Sequence, residues 1–253
     1  MLILTKEDKR VRCLCGFPLY VDDIPIKPMT IRKIVEFGES KYNLSLMLII
    51  SLRTAFEMIA KDVDLSKLDE ISDFELILVL SNIHPDFCNQ ISESLEYFLD
   101  YKIKFNKQND SFDVYDGDDS IGQFTKDNYE QLISIIKIQN YHKEELDKAD
   151  KKEEKPVDKK TAALLKQREE YREKLRKAKG QSTEQLTYTD YISILTAKSL
   201  EMNINKCLDM TVFAFFTYLE RLAMIDSYDV GIQQLMAGAK PNQVNLKHWL
   251  SSL

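Results

Sequence analysis

The sequence has little of what a secreted or membrane protein needs. Four cysteines in 253 residues are too few for a disulfide framework, so reduced thiols are expected. The longest apolar run, residues 44–52, falls well short of the roughly 20 residues that cross a bilayer. The N-terminus turns charged at residues 6–10 and lacks the apolar stretch of a secretory signal. We therefore expect a cytoplasmic protein.

Residues suited to catalysis are also scarce. The chain has seven glycines and three histidines, and it holds no phosphate-binding loop, nucleophile elbow, zinc-protease motif or dinucleotide fingerprint. The histidines, His84, His142 and His248, stand apart. The acidic pairs at 22–23 and 118–119 resemble turns. The sequence predicts a protein that is not an enzyme and uses no cofactor.

Two short patterns could hold a metal, and neither is complete. Cys13 and Cys15 lack the second ligand pair that structural zinc requires, so they are better explained as small residues in a strand or turn beside Gly16. The acidic stretch 113–119 resembles a calcium loop but carries Val114 where a ligand is needed, and no glutamate closes it. A solvated hairpin turn explains these acids. We predict no metal site.

What the chain does have is helix-forming and apolar residues: 44% hydrophobic and 30% charged, a composition typical of a foldable, mainly α protein. The pattern predicts a hairpin or edge strand at 17–31, a β-meander at 101–125, and helices over much of the rest of the first 141 residues. Two of these helices start from Ile31, capped by Thr30, with a break over 38–43 between them. The other predicted helices cover residues 74–83, 85–99 and 128–139.

Composition divides the chain into three parts. Residues 1–141 form an α+β domain. Residues 142–180 are a charged linker that includes a basic helix at 161–179, because the linker has too few apolar residues to offset chain entropy. Residues 181–253 form a small helical domain, with a helix from Tyr188 capped by Thr187 or Thr189 and one or two helices between residues 204 and 236.

The C-terminal part is unusually aromatic. It carries more aromatic surface than so short a segment easily encloses, and we interpret part of that surface as a docking site for another protein. A tight helical core with Trp249 packed back on it is the alternative. The predicted partner-binding residues are Tyr191, Phe213, Phe215, Phe216, Tyr218 and Trp249.

Two patches resemble proteins from the tail gene clusters of tailed phages that infect Gram-positive bacteria. The first is FPLYVDDIPIKPMTIRKIVEFGESKYN, residues 17–43. The second comprises YTDYISILTAKS at 188–199, NINKCLDMTVFAFFTYLERL at 203–222, YDVGIQ at 228–233, AGAK at 237–240 and the closing His248-Trp249. The resemblance implies a tail assembly chaperone or related tail-cluster protein. Such chaperones are soluble helical proteins that bind the tape measure protein and keep it soluble while the tail tube assembles.

Two other functions fit the sequence. A structural baseplate or tail component would share the composition and would be present in the finished virion. A nucleic-acid-binding regulator would use the seven lysines and arginines of 161–179, although three glutamates in that stretch would repel phosphate. The oligomeric state stays open.

Overall fold

The computed structural model describes residues 4–50, 52, 71–84, 86–142, 186–199, 201–240, 244 and 246–251. The predicted basic helix at 161–179 lies outside these ranges, as does the predicted linker after residue 142. Within the described ranges the chain is mainly helical with two small antiparallel sheets, which confirms the predicted fold class. No helix in this described part is long and apolar enough to span a membrane.

The first element is a helix, α1 (Lys6–Cys15), where only a charged start had been expected. Thr5 and Asp8 cap its N-terminus reciprocally, which satisfies two backbone donors that a helix start leaves open. Gly16 ends it in the left-handed conformation at φ 79°, which glycine adopts without steric cost. The prediction of a strand or turn for Cys13 and Cys15 was wrong, since both belong to α1.

The hairpin and the helix after it form as predicted. Strands β1 (Leu19–Val21) and β2 (Ile24–Ile26) pair antiparallel. Thr30 is the N-cap residue of α2 (Ile31–Phe37), but its side chain makes no capping hydrogen bond. The predicted break over 38–43 is narrower: Gly38 alone separates α2 from α3 (Glu39–Ile50). The single residue suffices because Gly38 has φ 94°, which turns the chain sharply.

Two further helices lead into the meander. Helix α4 (Asp73–Ile83) begins with a reciprocal cap between Ser72 and Glu75, and α5 (Phe87–Leu99) follows. The ammonium of Lys126, 2.6 Å from the Glu75 carboxylate, and the hydrogen bonds from Ser72 lower the pKa of Glu75 to about 2. This ion pair joins the start of α4 to the loop after the meander.

The meander consists of β3 (Lys102–Asn106), β4 (Ser111–Asp116) and β5 (Asp119–Phe124), paired antiparallel in that order. Gly117 and Asp118 make the turn between β4 and β5, one residue beyond the Asp116-Gly117 turn signal of the sequence. A side chain at Gly122 would stand 2.7 Å from Ile24 Cδ1, so the missing side chain lets the meander approach the hairpin closely.

Helix α6 (Tyr129–Gln139) occupies the centre of the core. It contacts α1, α3, α4 and β1, and most of its side chains are buried. The Gln139 amide donates a hydrogen bond of 2.8 Å to the buried carbonyl of Ile26, which satisfies both groups away from water. The predicted apolar face of this helix therefore packs into the core of the N-terminal part.

The C-terminal part contains α7 (Tyr188–Lys198), α8 (Ile204–Asp209) and α9 (Val212–Met236). Thr187 caps α7 with Asp190, and Thr211 caps α9. Predicting one or two helices between 204 and 236 was correct, since a break at 210–211 divides the region into two. Residues at the break pair with the N-terminal part through an isolated antiparallel bridge between Thr30 and Thr211.

Several contacts attach the C-terminal helices to the N-terminal part. The amide of Ile31 donates to the carbonyl of Met210 at 3.0 Å, and the amide of Val212 donates to the carbonyl of Met29 at 2.9 Å. The Thr211 hydroxyl donates to the carbonyl of Cys13 at 2.9 Å. Buried side chains from both parts therefore belong to one continuous hydrophobic core.

A tyrosine-lined groove as the candidate functional site

A groove with a volume of about 770 Å³ lies where the two parts meet. Helix α3 and the end of α6 supply one wall, and α7 and α9 supply the other. We call it the tyrosine groove. Its lining residues are Glu39, Tyr42, Asn43, Leu46, Asn140, Tyr141, Leu186, Tyr188, Tyr191, Phe216, Leu219, Glu220 and Ala223.

Several pairs of aromatic rings in the groove pack edge to face. The rings of Tyr42 and Tyr188 meet at 5.9 Å and an angle of 89°, and those of Tyr191 and Phe216 meet at 5.6 Å and 77°. This arrangement places the positive ring edge against the negative ring face and is worth about 0.5–1.5 kcal/mol per pair beyond the apolar burial. The groove is therefore a firmly packed surface.

Tyr141 has the most unusual backbone in the groove. It follows the end of α6 with φ 58°, a left-handed conformation that is rare for a bulky side chain. Its ring stacks on Phe216 at 6.0 Å, and its hydroxyl donates a hydrogen bond to the carboxylate of Glu220. These contacts from α9 offset the backbone strain and fix the ring at the junction.

The hydroxyl groups of Tyr42, Tyr141 and Tyr188 stay protonated at neutral pH. Burial raises the pKa of Tyr42, and burial together with the neighbouring Tyr42 and Glu39 raises the pKa of Tyr188. Burial and the hydrogen bond to Glu220 raise the pKa of Tyr141. Because desolvation disfavours the phenolate, these groups serve as hydrogen-bond donors and acceptors rather than as bases.

The predicted partner-binding residues divide into three sets. Phe213 and Phe215 are buried, because Tyr141 covers the first ring and Tyr188 stacks on the second. Tyr191 and Phe216 line the tyrosine groove. Tyr218 and Trp249 are exposed to 50% and 38% and lie outside the groove lining. The structure thus brings two of the six predicted residues into one concave site.

The wall of the groove that the N-terminal part supplies was missed from the sequence. Glu39, Tyr42 and Tyr141 belong to the N-terminal part, about 50 to 150 residues from α7 along the chain. A signal was present for Tyr141, because an aromatic residue directly after a helix end and before a charged stretch needs a partner to cover it. Nothing local to Glu39 or Tyr42 indicates that α7 packs beside them.

The cysteines take no part in the groove. Cys13, Cys88 and Cys207 are buried and Cys15 is exposed, and burial raises the pKa of the Cys13 thiol to about 12. Within the described ranges no group of three histidine, cysteine or acidic side chains is placed to hold a metal ion.

The C-terminal part is similar to a known domain family. Residues 178–253 match the family model described as the YomV second domain, a family of Bacillus phage-region proteins. The match includes α7, α8 and α9, and it relates the chain to phage proteins. The second resemblance patch lies inside this range and the first, at 17–43, lies outside it. No curated protein and no solved structure matches the chain.

Proposed function

We propose that the protein is a non-enzymatic phage tail assembly chaperone, which binds a helical segment of the tape measure protein in the tyrosine groove and keeps that protein soluble. The observation that carries the proposal is the groove itself, an aromatic and aliphatic concave surface formed where four helices meet. The similarity of residues 178–253 to a phage domain family supports the phage setting.

The walls of the groove suit a helical ligand. A helix with side chains is about 10–12 Å wide, and an amphipathic one presents its apolar side chains at a spacing that an elongated apolar groove can receive. Leu46, Leu219 and Phe216 offer apolar contact, while the amides of Asn43 and Asn140 and the tyrosine hydroxyls lie among them. Rigid aromatic side chains lose little entropy on binding, so they contribute well to affinity.

The groove also couples binding to folding. Its two walls come from parts of the chain that are distant in sequence, so a ligand that contacts both walls binds the folded protein and not the unfolded chain. Such a ligand stabilises the assembled form by mass action. We expect the melting temperature to rise when the partner segment is added.

A blocking substitution tests the proposal without disturbing the core. Ala223 is exposed on α9 and lines the groove, so Ala223→Arg places a long side chain across it. Ala197 is exposed on α7 outside the lining, and Ala197→Arg is the matched control. Each variant is co-expressed with a phage tape measure protein, and the soluble fraction and co-purification of that protein are measured.

The expected result is a soluble, co-purifying tape measure protein with the wild type and with Ala197→Arg, and loss of both properties with Ala223→Arg. A tape measure protein that is equally soluble alone and never co-purifies would contradict the proposal. Detection of this chain in purified virions would then favour a structural tail component.

A further inference from the structure

The C-terminal end of the chain folds back along α9. After Gly238, which has φ 96°, the described residues Val244 and 246–251 lie against α9 between Arg221 and Gly231. We call these residues the C-terminal strap. We infer that the strap is a releasable internal ligand, which occupies a docking surface on α9 for an extended partner segment. That segment carries a leucine and, two residues later, an aromatic ring.

Gly231 forms the seat of the strap on α9. A glycine in a helix interior destabilises the helix relative to alanine, so its presence there indicates a packing reason. Gly231 is buried, and a Cβ atom on it would stand 2.7 Å from Leu246 Cδ1 and 3.1 Å from Val244 Cγ1. The missing side chain therefore lets a leucine approach the backbone of the helix.

Two side chains of α9 contact the strap beyond this seat. The Arg221 guanidinium donates hydrogen bonds to the carbonyls of Trp249 and Ser251 at 2.6 and 2.7 Å, so it recognises backbone rather than side chains. The ring of Tyr228 meets the imidazole of His248 at 5.0 Å and 68°, an edge-to-face arrangement open to other aromatic rings. Positions 221 and 228 are seven residues apart, which places both on one side of the helix.

The strap is bound less firmly than the core. Leu246, Trp249 and Leu250 are exposed to 40%, 38% and 69%, and the strap residues form neither helix nor strand. Segments with few buried apolar side chains and no regular backbone pairing open at a small fraction of the free energy of global unfolding. Release of the strap therefore does not require unfolding of α9.

The docking surface extends beyond the strap. A cavity of about 400 Å³ adjoins the seat and is lined by Asp226, Ser227, Val230, Gly231, Gln234 and Val244. A ligand tethered through a short connection has an effective concentration on the order of 1 mM, so a competing segment must bind more tightly than the strap. Apolar side chains that reach Val230, which is 51% exposed, provide this additional contact.

A labelled peptide with the sequence of residues 242–253 tests the inference on the full-length protein, with binding measured by fluorescence anisotropy. Leu246→Ser loosens the strap and leaves the surface of α9 intact. We expect the peptide to bind this variant about tenfold more tightly than the wild type, because the closed strap lowers the fraction of binding-competent protein. Leu250→Ser removes a leucine that is 69% exposed and is the matched control, with wild-type affinity.

Substitutions on the helices then locate the bound peptide. In the Leu246→Ser background, Gly231→Leu fills the seat and should abolish binding. Circular dichroism checks that α9 stays helical, as expected because leucine favours a helix more than glycine does. Ala197→Leu adds bulk at an exposed position of α7 and should leave binding unchanged.

Three outcomes would overturn the inference. Equal affinity for the wild type and Leu246→Ser would mean that the strap does not block the surface. Absence of binding to Leu246→Ser at peptide concentrations up to about 1 mM would mean that the surface takes no separate ligand. Binding that survives Gly231→Leu would place the peptide elsewhere, and its loss with Ala223→Arg would identify the tyrosine groove, whose lining on α9 ends at Ala223. The first two outcomes leave the proposed function standing.

Discussion

Both halves of α9 carry large apolar side chains, but their surroundings are opposite. Apolar residues occupy all sides of this 25-residue helix, a pattern typical of a buried helix. In the first half Val212 and Phe215 are completely buried, whereas in the second half Val230 and Met236 are exposed to 51% and 84%. The difference arises because α1, α6 and α7 contact α9, and the buried residues cluster at its start. The presence of a large apolar side chain alone thus does not show that its part of the helix is covered.

The largest expected effect is a difference in the free energy of unfolding between substitutions in the first and the second half of α9. Phe215 is fully buried and stacks on Tyr188 at 6.4 Å, so Phe215→Ala should lower the free energy of unfolding by about 3–5 kcal/mol. Met236→Ala removes an exposed side chain and should change it by less than about 0.5 kcal/mol. Urea denaturation followed by circular dichroism measures both. Similar losses in the two variants would mean that both halves are buried in solution.

A second comparison concerns two threonine caps. The Thr211 hydroxyl is buried, accepts the amide of Ala214 at 3.0 Å and donates to the carbonyl of Cys13 at 2.9 Å. Thr211→Val should therefore cost about 2 kcal/mol, because both a cap and a buried hydrogen bond between the two parts are lost. Thr187 is an exposed cap, and Thr187→Val should cost about 1 kcal/mol or less. Equal values from thermal unfolding would show that the link to Cys13 contributes nothing.

The smallest expected effect concerns the C-terminal segment that lies along α9. Arg221 donates hydrogen bonds to the carbonyls of Trp249 and Ser251 at 2.6 and 2.7 Å, which hold the C-terminal segment along the helix. Arg221→Ala should cost about 1 kcal/mol and increase the solvent exposure of Trp249, the single tryptophan. We expect a red shift of the tryptophan emission and stronger quenching by acrylamide in this variant. Unchanged emission would mean that packing of His248 and Trp249, rather than Arg221, positions the segment.

The sequence predicts local structure well where short-range chemistry determines it. The β-meander follows from alternation and from the Asp116-Gly117 turn, and Thr187 identifies the start of α7 through its reciprocal cap with Asp190. Helix α1 could have been predicted in the same way, because Thr5 and Asp8 have the spacing of a capping box and Gly16 marks a helix end. The sequence therefore contains the start and end signals of this helix.

Only two of the residues that line the groove were predicted from the sequence as site residues. Tyr191 and Phe216 were identified from aromatic enrichment, whereas Glu39, Tyr42 and Tyr141 depend on contacts between residues far apart in the chain. The hydrogen bond between Tyr141 and Glu220 spans 79 residues, and the approach of Glu39 to Tyr188 spans 149. Periodicity reports which face of a helix is apolar, and it does not report which other helix covers that face. Phe213 and Phe215 were for this reason assigned to a docking surface, although the structure buries them.

The bridge between Thr30 and Thr211 has a consequence for the protein during its synthesis. A ribosome adds about 5–20 residues per second, so the segment around Met29 and Ile31 is made roughly 10–40 seconds before its partner strand exists. Until then, the amide of Ile31 and the carbonyl of Met29 lack the hydrogen bonds that Met210 and Val212 later provide. Contacts of such long sequence separation slow folding, so the final step of folding waits for translation of α9, and the tyrosine groove exists only after that step.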